Sequence, residues 1–219
     1  MNGIVLYMVR LTNSVKERNR SLGQLADDSN CPMRRRGDSL LTAIFQATIS
    51  ELAEVGYSAL SVEAVANRAR TGKASLYRRW ATKVDLVVDA LDYEINKCEI
   101  PLDLTDLRAG LLAKLNSMAT AFAGDLGQAM AGCISEFQRE PKLQHAAEEK
   151  IINPRKAALA QSLNEGIAAG KIRPNIPPMV VDLPVAFMMH SITFVGRSPD
   201  EVEIANFVDT VMLPLLTNS

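Results

Sequence analysis

The sequence is poor in aromatic residues, and this bears on its fold class. Phe, Trp and Tyr make up 5% of the 219 residues, whereas β-sheets are usually rich in aromatic and β-branched side chains. Ala, Leu, Met, Glu, Gln and Arg are frequent, and these residues favour helices. The composition therefore predicts an all-α protein.

Cysteine and long apolar runs are also scarce. Cys31, Cys98 and Cys133 form no Cys-x-x-Cys pair, which argues against a disulfide framework and a zinc ribbon. No apolar run reaches the ~18 residues that span a bilayer, and residues 4–9 lack the flanks of a signal peptide. We expect a soluble protein of a reducing cytoplasm, with no membrane partner.

Patterns of catalytic or metal-binding residues are missing too. His145 and His190 have no third ligand at a suitable spacing, nothing in the sequence orders Cys133 and His145 as a nucleophile and base, and no glycine-rich phosphate loop occurs. We therefore predict no catalytic residue, no metal and no cofactor. His190 lies on a mostly apolar segment, where a core or interface position is favoured over a pocket position.

Positive charge, by contrast, is concentrated in one stretch. The chain has a formal net charge of −1, yet no acid occurs between Glu63 and Asp85. Six basic residues occupy this stretch: Arg68, Arg70, Lys73, Arg78, Arg79 and Lys83. One basic element on a nearly neutral chain is typical of a DNA reader with a separate second task.

The chain before this stretch divides into an arm and a helix. Residues 1–37 are polar without an apolar face and end in an arginine run and Gly37, so we predict a flexible arm. Two questions stay open: whether Met33 is the natural start or the arm is genuine, and whether Arg34, Arg35 and Arg36, just before the first helix, reach DNA or remain solvated. From Asp38 a helix is predicted, with its apolar face at Leu41, Ile44, Phe45, Ile49, Leu52 and Val55 and its end at Gly56.

Short helices follow, and then long ones. Ser61 is a suitable N-cap for a helix over 62–69, a second is predicted over 73–80, and Thr82 with Asp85 resembles a capping box for a third over 83–97. Longer helices are predicted over 105–123, 125–139, 142–169, 178–195 and 199–216, the last capped by Ser198 with Glu201. Pro154 and Pro184 are expected to kink a helix or mark a boundary.

The two short helices form a pattern that binds DNA. A tight turn at 70–72 separates them, small Ala66 allows a close approach, and Leu76 seals the pair, as in a helix-turn-helix. With Leu76 buried, helical spacing leaves Lys73, Ala74, Ser75, Tyr77 and Arg78 on the outer face. That face is the one that enters the major groove.

The segment LSVEAVANRARTGKASLYRRWATKVDLVVDAL, residues 60–91, resembles the DNA-binding domain of the tetracycline-repressor (TetR) family. The resemblance implies a three-helix DNA-binding domain over 38–82 and a helical ligand-binding and dimerisation domain over 83–219. By matching position, Thr71, Gly72, Lys73, Ala74 and Ser75 would face bases. Tyr77, Arg78 and Lys83 would hold phosphates, and Ser61 would add a phosphate contact at the start of its helix. The turn glycine common in the family is Arg70 here, and we expect Gly72 to absorb the strain.

The C-terminal half has two apolar sets. Phe194, Phe207, Val211 and Leu215, with His190, are predicted to form a dimer interface, since the family dimerises through its last two helices; the alternative is that they complete the monomer core. Met118, Phe122, Met130, Cys133, Phe137 and Phe187 are at helical spacings typical of core, and only the resemblance favours a ligand pocket for them.

The sequence therefore predicts a bacterial transcriptional regulator, most simply a ligand-responsive repressor that binds a palindromic double-stranded DNA operator as a homodimer. Its effector would be a small apolar or amphipathic molecule, and it would be nucleoid-associated when bound to DNA. An activator and a constitutive DNA-binding protein of the same fold remain alternatives, and so does a small helical enzyme, although the C-terminal half offers mainly apolar groups.

Overall fold

The structure is a computed structural model that describes the backbone of residues 32–217 and the side chains of residues 39–217. Every regular element in this part of the chain is a helix, which confirms the predicted all-α fold. Most of the predicted arm, residues 1–37, lies outside the described residues. Helical backbone already begins at Pro32, earlier than the predicted start at Asp38.

The helices follow the predicted order, but their bounds differ: the helices predicted from Asp38 and over 83–97 are longer than predicted, and the predicted helices 142–169, 178–195 and 199–216 are each divided by a 3-10 or π-helical turn. Their ranges are α1 Pro32–Ala59, α2 Val62–Arg68, α3 Lys73–Tyr77, α4 Lys83–Cys98, α5 Leu107–Phe122, α6 Asp125–Glu136, α7 Pro141–Ala147, α8 Asn153–Ala168, α9 Leu183–His190, α10 Glu201–Phe207 and α11 Leu213–Leu216. A 3-10 turn occupies Pro178–Val181, and π-helical turns occupy Glu148–Ile152, Ser191–Val195 and Val208–Met212. Pro154 and Pro184 are the second residues of α8 and α9, so both mark helix boundaries as predicted.

Local capping signals explain several of these bounds. Gly56 interrupts α1 with φ 75° and ψ 171°, a conformation that favours glycine. Ser61 Oγ caps α2 by accepting from Ala64 N at 3.1 Å, and Thr82 and Asp85 form the reciprocal bonds of the predicted capping box.

One predicted cap is wrong. The last predicted helix is capped by Asp200 and not by Ser198: Asp200 and Glu203 form a complete capping box. Ser198 Oγ instead donates to Ala119 O at 2.8 Å, a tertiary hydrogen bond that carries no local sequence signal.

The described residues fall into two compact units. One contains residues 32–97 and 124–152, and the other contains residues 98–123 and 153–217. The predicted domains, 38–82 for DNA binding and 83–219 for ligand and dimerisation, are divisions by function and stay predictions.

The first unit is built around α1. This helix packs on α6 and α2, and α2 packs on α3. Ile44, Leu52, Val65, Leu76 and Leu86 are almost fully buried, whereas Val55, predicted on the same apolar face of α1, is 46% exposed. Burial of these aliphatic side chains supplies the main stabilisation of so short a set of helices.

Aromatic contacts join α1 to α4 in this unit. The Phe45 ring lies 5.7 Å from the Trp80 ring and 4.8 Å from the Tyr93 ring, measured between centroids. The hydroxyl groups of Thr42 and Tyr93 hydrogen-bond at 2.9 Å. These contacts hold Trp80, in the connection between α3 and α4, and the C-terminal half of α4 against α1.

The second unit packs α5 against α9, α10 and the π-helical turn at Val208–Met212. Its core contains Leu115, Leu163, Met188, Ile204 and Met212, all almost fully buried. No helix in the described part of the chain has both the length and the apolar character needed to cross a membrane.

Candidate nucleic-acid interface

The α2–α3 pair has the packing that a helix-turn-helix requires. Val65 and Ala66 of α2 are buried, and Leu76 of α3 is 1% exposed. The helix α3 has only five residues and would not form in isolation. Leu76 therefore holds α3 on α2 and fixes which of its faces points outward.

The outer face of α3 carries the residues predicted to meet DNA. Gly72, Lys73, Ala74, Tyr77 and Arg78 are exposed, and Tyr77 is 50% exposed although it is a large aromatic residue. Thr71 and Ser75 are partly exposed. This face presents hydroxyl and cationic groups together with one ring, the side-chain types that contact bases and phosphates.

The turn before α3 differs from the prediction. Arg70 N donates to Asn67 O at 3.1 Å and Thr71 N donates to Ala66 O at 2.9 Å, which is the bond pattern of a Schellman C-cap. Arg70 itself takes the left-handed conformation, with φ 51°. Gly72 has φ −81° and ψ 140°, an ordinary extended conformation, so the expectation that Gly72 absorbs the strain is wrong.

The basic residues of the segment differ in their partners. Arg68 donates to both carboxylate oxygens of Glu54, at 2.8 and 2.6 Å, and lies 3.2 Å from Glu51. The hydrogen bond from Arg68 lowers the pKa of Glu54. Lys73 Nζ lies 3.2 Å from Glu63 Oε2, and both side chains are largely exposed.

Lys83 lies in a setting that the sequence did not indicate. Its Nζ donates to Tyr57 O at 2.9 Å and to Leu60 O at 3.3 Å, and it lies 4.3 Å from the centroid of the Tyr57 ring. These carbonyls belong to the segment that joins α1 to α2. In this conformation the ammonium group is turned to the protein, and the phosphate contact expected of Lys83 stays a prediction.

The end of α3 is tied to α4. The helix ends at Tyr77, not at residue 80 as predicted, and Trp80 follows, 6% exposed. Trp80 Nε1 donates to Asp89 Oδ2 of α4 at 2.9 Å, and Lys150 Nζ binds the other oxygen, Asp89 Oδ1. The Asp89 carboxylate thus joins Trp80, just after α3, to the π-helical turn Glu148–Ile152.

Comparison with known proteins places this geometry in a family. A sequence profile described as bacterial regulatory proteins of the tetR family matches residues 44–90. A second profile, described as the tetracyclin repressor-like C-terminal domain, matches residues 101–211. The chain belongs to the TetR family.

Relatives of this TetR-family protein support the assignment over most of its length. An uncharacterized HTH-type transcriptional regulator of Mycobacterium bovis is 30% identical over 179 residues, which cover 81% of this chain and 88% of the relative. A DNA-binding transcriptional repressor TetR of Mycobacteroides abscessus is 24% identical over 186 residues, 84% of this chain and 97% of that protein.

Solved structures support the fold. A TetR transcription regulator from Haloarcula marismortui superposes with a TM-score of 0.64 at 18% identity, covering 82% of this chain and 100% of the other. The TetR-family protein described here is thus a DNA-binding transcriptional regulator and not an enzyme, as the sequence predicted.

The residues predicted to bind ligand are distributed between the two units. Met118, Phe122 and Phe187 belong to the second unit, and Met130, Cys133 and Phe137 belong to the first. Phe122 is 5% exposed and Cys133 is 2% exposed. Burial raises the pKa of the Cys133 thiol to about 12. The ligand pocket stays a prediction.

The predicted dimer residues lie on α9–α11 and their π-helical turns. Phe194 is 80% exposed and its ring lies 5.4 Å from that of His190, which is also exposed. Phe207, Val211 and Leu215 are partly exposed. Phe207 stacks on Phe187 at 4.3 Å, so a residue predicted for the ligand site contacts a residue predicted for the interface.

Sequence reasoning did not single out several residues that the structure makes notable. Val202, at the start of α10, is 77% exposed. Because it is a single apolar residue among acids in the sequence, no apolar surface was predicted there. Asp89 carried no signal, because its two partners come from distant parts of the chain. Arg70 was visible as a departure from the family pattern, but its own backbone conformation was not.

Proposed function

We propose that this TetR-family protein is a ligand-responsive repressor that acts as a homodimer on a palindromic operator. The observation that carries the proposal is the hydrophilic face of α3, which is exposed while Leu76 on the opposite face is 1% exposed. Lys73, Ala74 and Ser75 on this face would read bases, whereas Tyr77 and Arg78 would hold phosphates.

The small size of α3, the helix proposed to contact bases, favours a dimer. Five residues of α3 make too few contacts for specific binding, and helix-turn-helix proteins commonly use two half-sites about one helical turn, ~34 Å, apart. The exposed apolar side chains Val185, Phe194, Val195 and Val202 support a self-association surface around α9 and α10, because a stable monomer has few reasons to expose so many.

Repression and its release would come from a shift between two conformations of the dimer. A small apolar or amphipathic effector bound by the predicted ligand-binding domain would favour a spacing of the two α3 helices that does not fit the operator. Asp89 would pass the shift to α3, since it binds both Lys150 and Trp80. The relative from Mycobacteroides abscessus, named a repressor, supports repression over activation. We place the protein in the bacterial cytoplasm, nucleoid-associated when bound to DNA.

The test is selection of bound DNA from a random pool by the full-length protein. We expect enrichment of a palindrome whose half-site centres lie about one helical turn apart. The mass of the protein–DNA complex, measured by light scattering, is expected to correspond to two chains per palindrome. Enrichment of a single half-site, or of no sequence, would contradict the proposal.

A further inference from the structure

The side chain of Arg70 is exposed and has no partner among the side chains that the structure describes. Arg68, two residues earlier, is held by Glu54 and Glu51, Lys73 by Glu63, and Lys83 by two carbonyls. Within residues 39–217, no side chain or carbonyl oxygen pairs with the Arg70 guanidinium, and the residue is exposed. Its positive charge is therefore available to an outside group.

The backbone at this position would be served better by glycine. The chain contains a second Schellman cap, at the end of α8, where Gly170 N donates to Ile167 O and Lys171 N donates to Gly166 O. There the left-handed residue is Gly170, with φ 70°. Arg70 occupies the same place in the cap after α2 with φ 51°, although a Cβ atom makes this conformation unfavourable.

The position of Arg70 beside the exposed face of α3 indicates a role in binding. Arg70 directly precedes Thr71 and lies two residues before Gly72, at the entrance to the exposed face of α3. Unfavourable backbone conformations that persist in a fold cluster at functional sites. A guanidinium is the group whose planar set of N–H donors best matches two phosphate oxygens.

We propose that Arg70 binds a phosphate of the DNA backbone next to the bases that α3 reads, so that the turn is itself part of the DNA interface. This inference rests on the proposed binding of a two-fold symmetric operator. It adds one contact per half-site to those predicted from the sequence, and it assigns to the turn a role that a glycine could not fill.

The experiment compares Arg70→Gly, Arg70→Ala and Arg70→Lys with the wild type on the selected operator, over a series of salt concentrations. Binding constants fall with salt, so the slope of log K against log salt is negative. Loss of one phosphate contact in each half-site is expected to make this slope less steep by about 1.8 for the dimer. Affinity at moderate salt should fall roughly 10- to 100-fold in the Gly and Ala variants. Arg70→Lys, which keeps the charge, should recover most of the slope.

Thermal unfolding distinguishes this loss from damage to the fold. Arg70→Gly removes the unfavourable Cβ and is expected to raise the melting temperature by about 2–4 °C, whereas Arg70→Ala keeps the Cβ and should not. A variant that is more stable yet binds DNA more weakly has lost a contact and not its structure. Arg139→Ala, which removes an 80% exposed arginine side chain outside the helix-turn-helix, is the matched control for net charge and should leave the slope unchanged.

Two results would overturn the proposal. One is an unchanged salt slope in both Arg70→Gly and Arg70→Ala. The other is a change in sequence preference in the selection experiment, which would assign Arg70 to a base and not to a phosphate. A wild-type protein that selects no sequence would instead contradict the proposed function, so the two failures are distinguishable.

Discussion

Lys73 and Lys83 are both lysines of the basic segment, but their ammonium groups have different surroundings. Lys73 Nζ pairs with an exposed acid on α2, a pair of the kind that contributes little to stability. Lys83 Nζ donates to two backbone carbonyls between α1 and α2. Residue type and position in the sequence predicted both as DNA ligands, because neither reveals where a flexible side chain of four methylene groups ends.

Substituting these two lysines should therefore separate recognition from stability. Lys73→Ala is expected to relax base preference in a panel of singly substituted operators, with little change in the urea midpoint. Lys83→Ala should lower the free energy of unfolding by about 1–2 kcal/mol, since two hydrogen bonds and a cation–π contact are lost, and weaken binding to all sequences alike. Lys83→Met, which keeps most of the aliphatic stem, should show the same loss. An unchanged urea midpoint for Lys83→Ala would contradict the role of Lys83 in the fold.

Burial of Cys133 predicts a loss of stability at alkaline pH. The folded pKa is raised to about 12 by burial, from an ordinary value of 9.0. The unfolded chain releases this proton at lower pH than the folded chain, so the contribution is complete below about pH 9 and is lost as the pH rises toward 12. The free energy of unfolding should fall by up to about 1.4 kcal/mol per pH unit in this window.

Urea titrations at pH 8 to 11 on wild type and Cys133→Ala measure this contribution. The variant is expected to be less stable at pH 8, because of the cavity, and to have the shallower pH dependence, so that the two stabilities converge as the pH rises. Tyr57, whose pKa burial also raises to about 12, with a smaller contribution from Cys133 itself, adds its own titration above pH 10. The difference between the two proteins below pH 10 therefore measures Cys133. Parallel curves would contradict the assignment to Cys133.

At the scale of the element, the order of helices could be predicted and their ends only in part. Apolar periodicity and caps such as Ser61 act within one helix, so they are visible in the sequence. The start of α10 shows the limit. Ser198 with Glu201 and Asp200 with Glu203 both match a capping box, and the choice depends on the hydrogen bond from Ser198 to Ala119, which arises only in the folded chain.

The same distinction applies to the candidate site. The exposed face of α3 follows from the burial of Leu76 and was predictable. The left-handed backbone of Arg70 was not, since the sequence offers Gly72 nearby as the easier place for it. The bridge from Trp80 through Asp89 to Lys150 joins residues far apart in the chain, and no local pattern records it.

The junction of α3 and α4 should depend on two separable contributions of Trp80. Trp80→Ala is expected to lower the free energy of unfolding by about 3–5 kcal/mol, because a buried ring is lost. Trp80→Phe keeps an aromatic ring against Phe45 but removes the indole N–H that binds Asp89 together with part of the buried ring, so it should cost less, about 1–3 kcal/mol. Chemical denaturation of the three proteins checks the order. Equal stability of Trp80→Ala and wild type would refute the role of Trp80 at the junction.

At the scale of the whole molecule, the proposed dimer depends on a surface that is remote in sequence from α3. Phe194 is 80% exposed and contributes little to the protomer's own core. Phe194→Glu is therefore expected to leave the chain folded but to shift it from dimer to monomer, since burying an unpaired charge in an apolar interface is costly. Operator affinity should fall as the dimer is lost, because a separate protomer binds only one half-site.

Light scattering and gel shift on the same samples test this, with circular dichroism to confirm folding. Met179→Glu is the matched control: it introduces the same charge at another exposed apolar residue, 60% exposed, outside the predicted interface, and should remain dimeric. A dimeric, operator-binding Phe194→Glu protein would place the self-association surface elsewhere.

The brevity of α3, little more than one helical turn held by Leu76, has a consequence for engineering. A synthetic peptide copied from this stretch would be unstructured and a poor competitor for the operator. Transplanting its outward side chains onto a relative of the same architecture is the better route to redirected specificity, because the host scaffold then provides the rigidity that the excised fragment lacks.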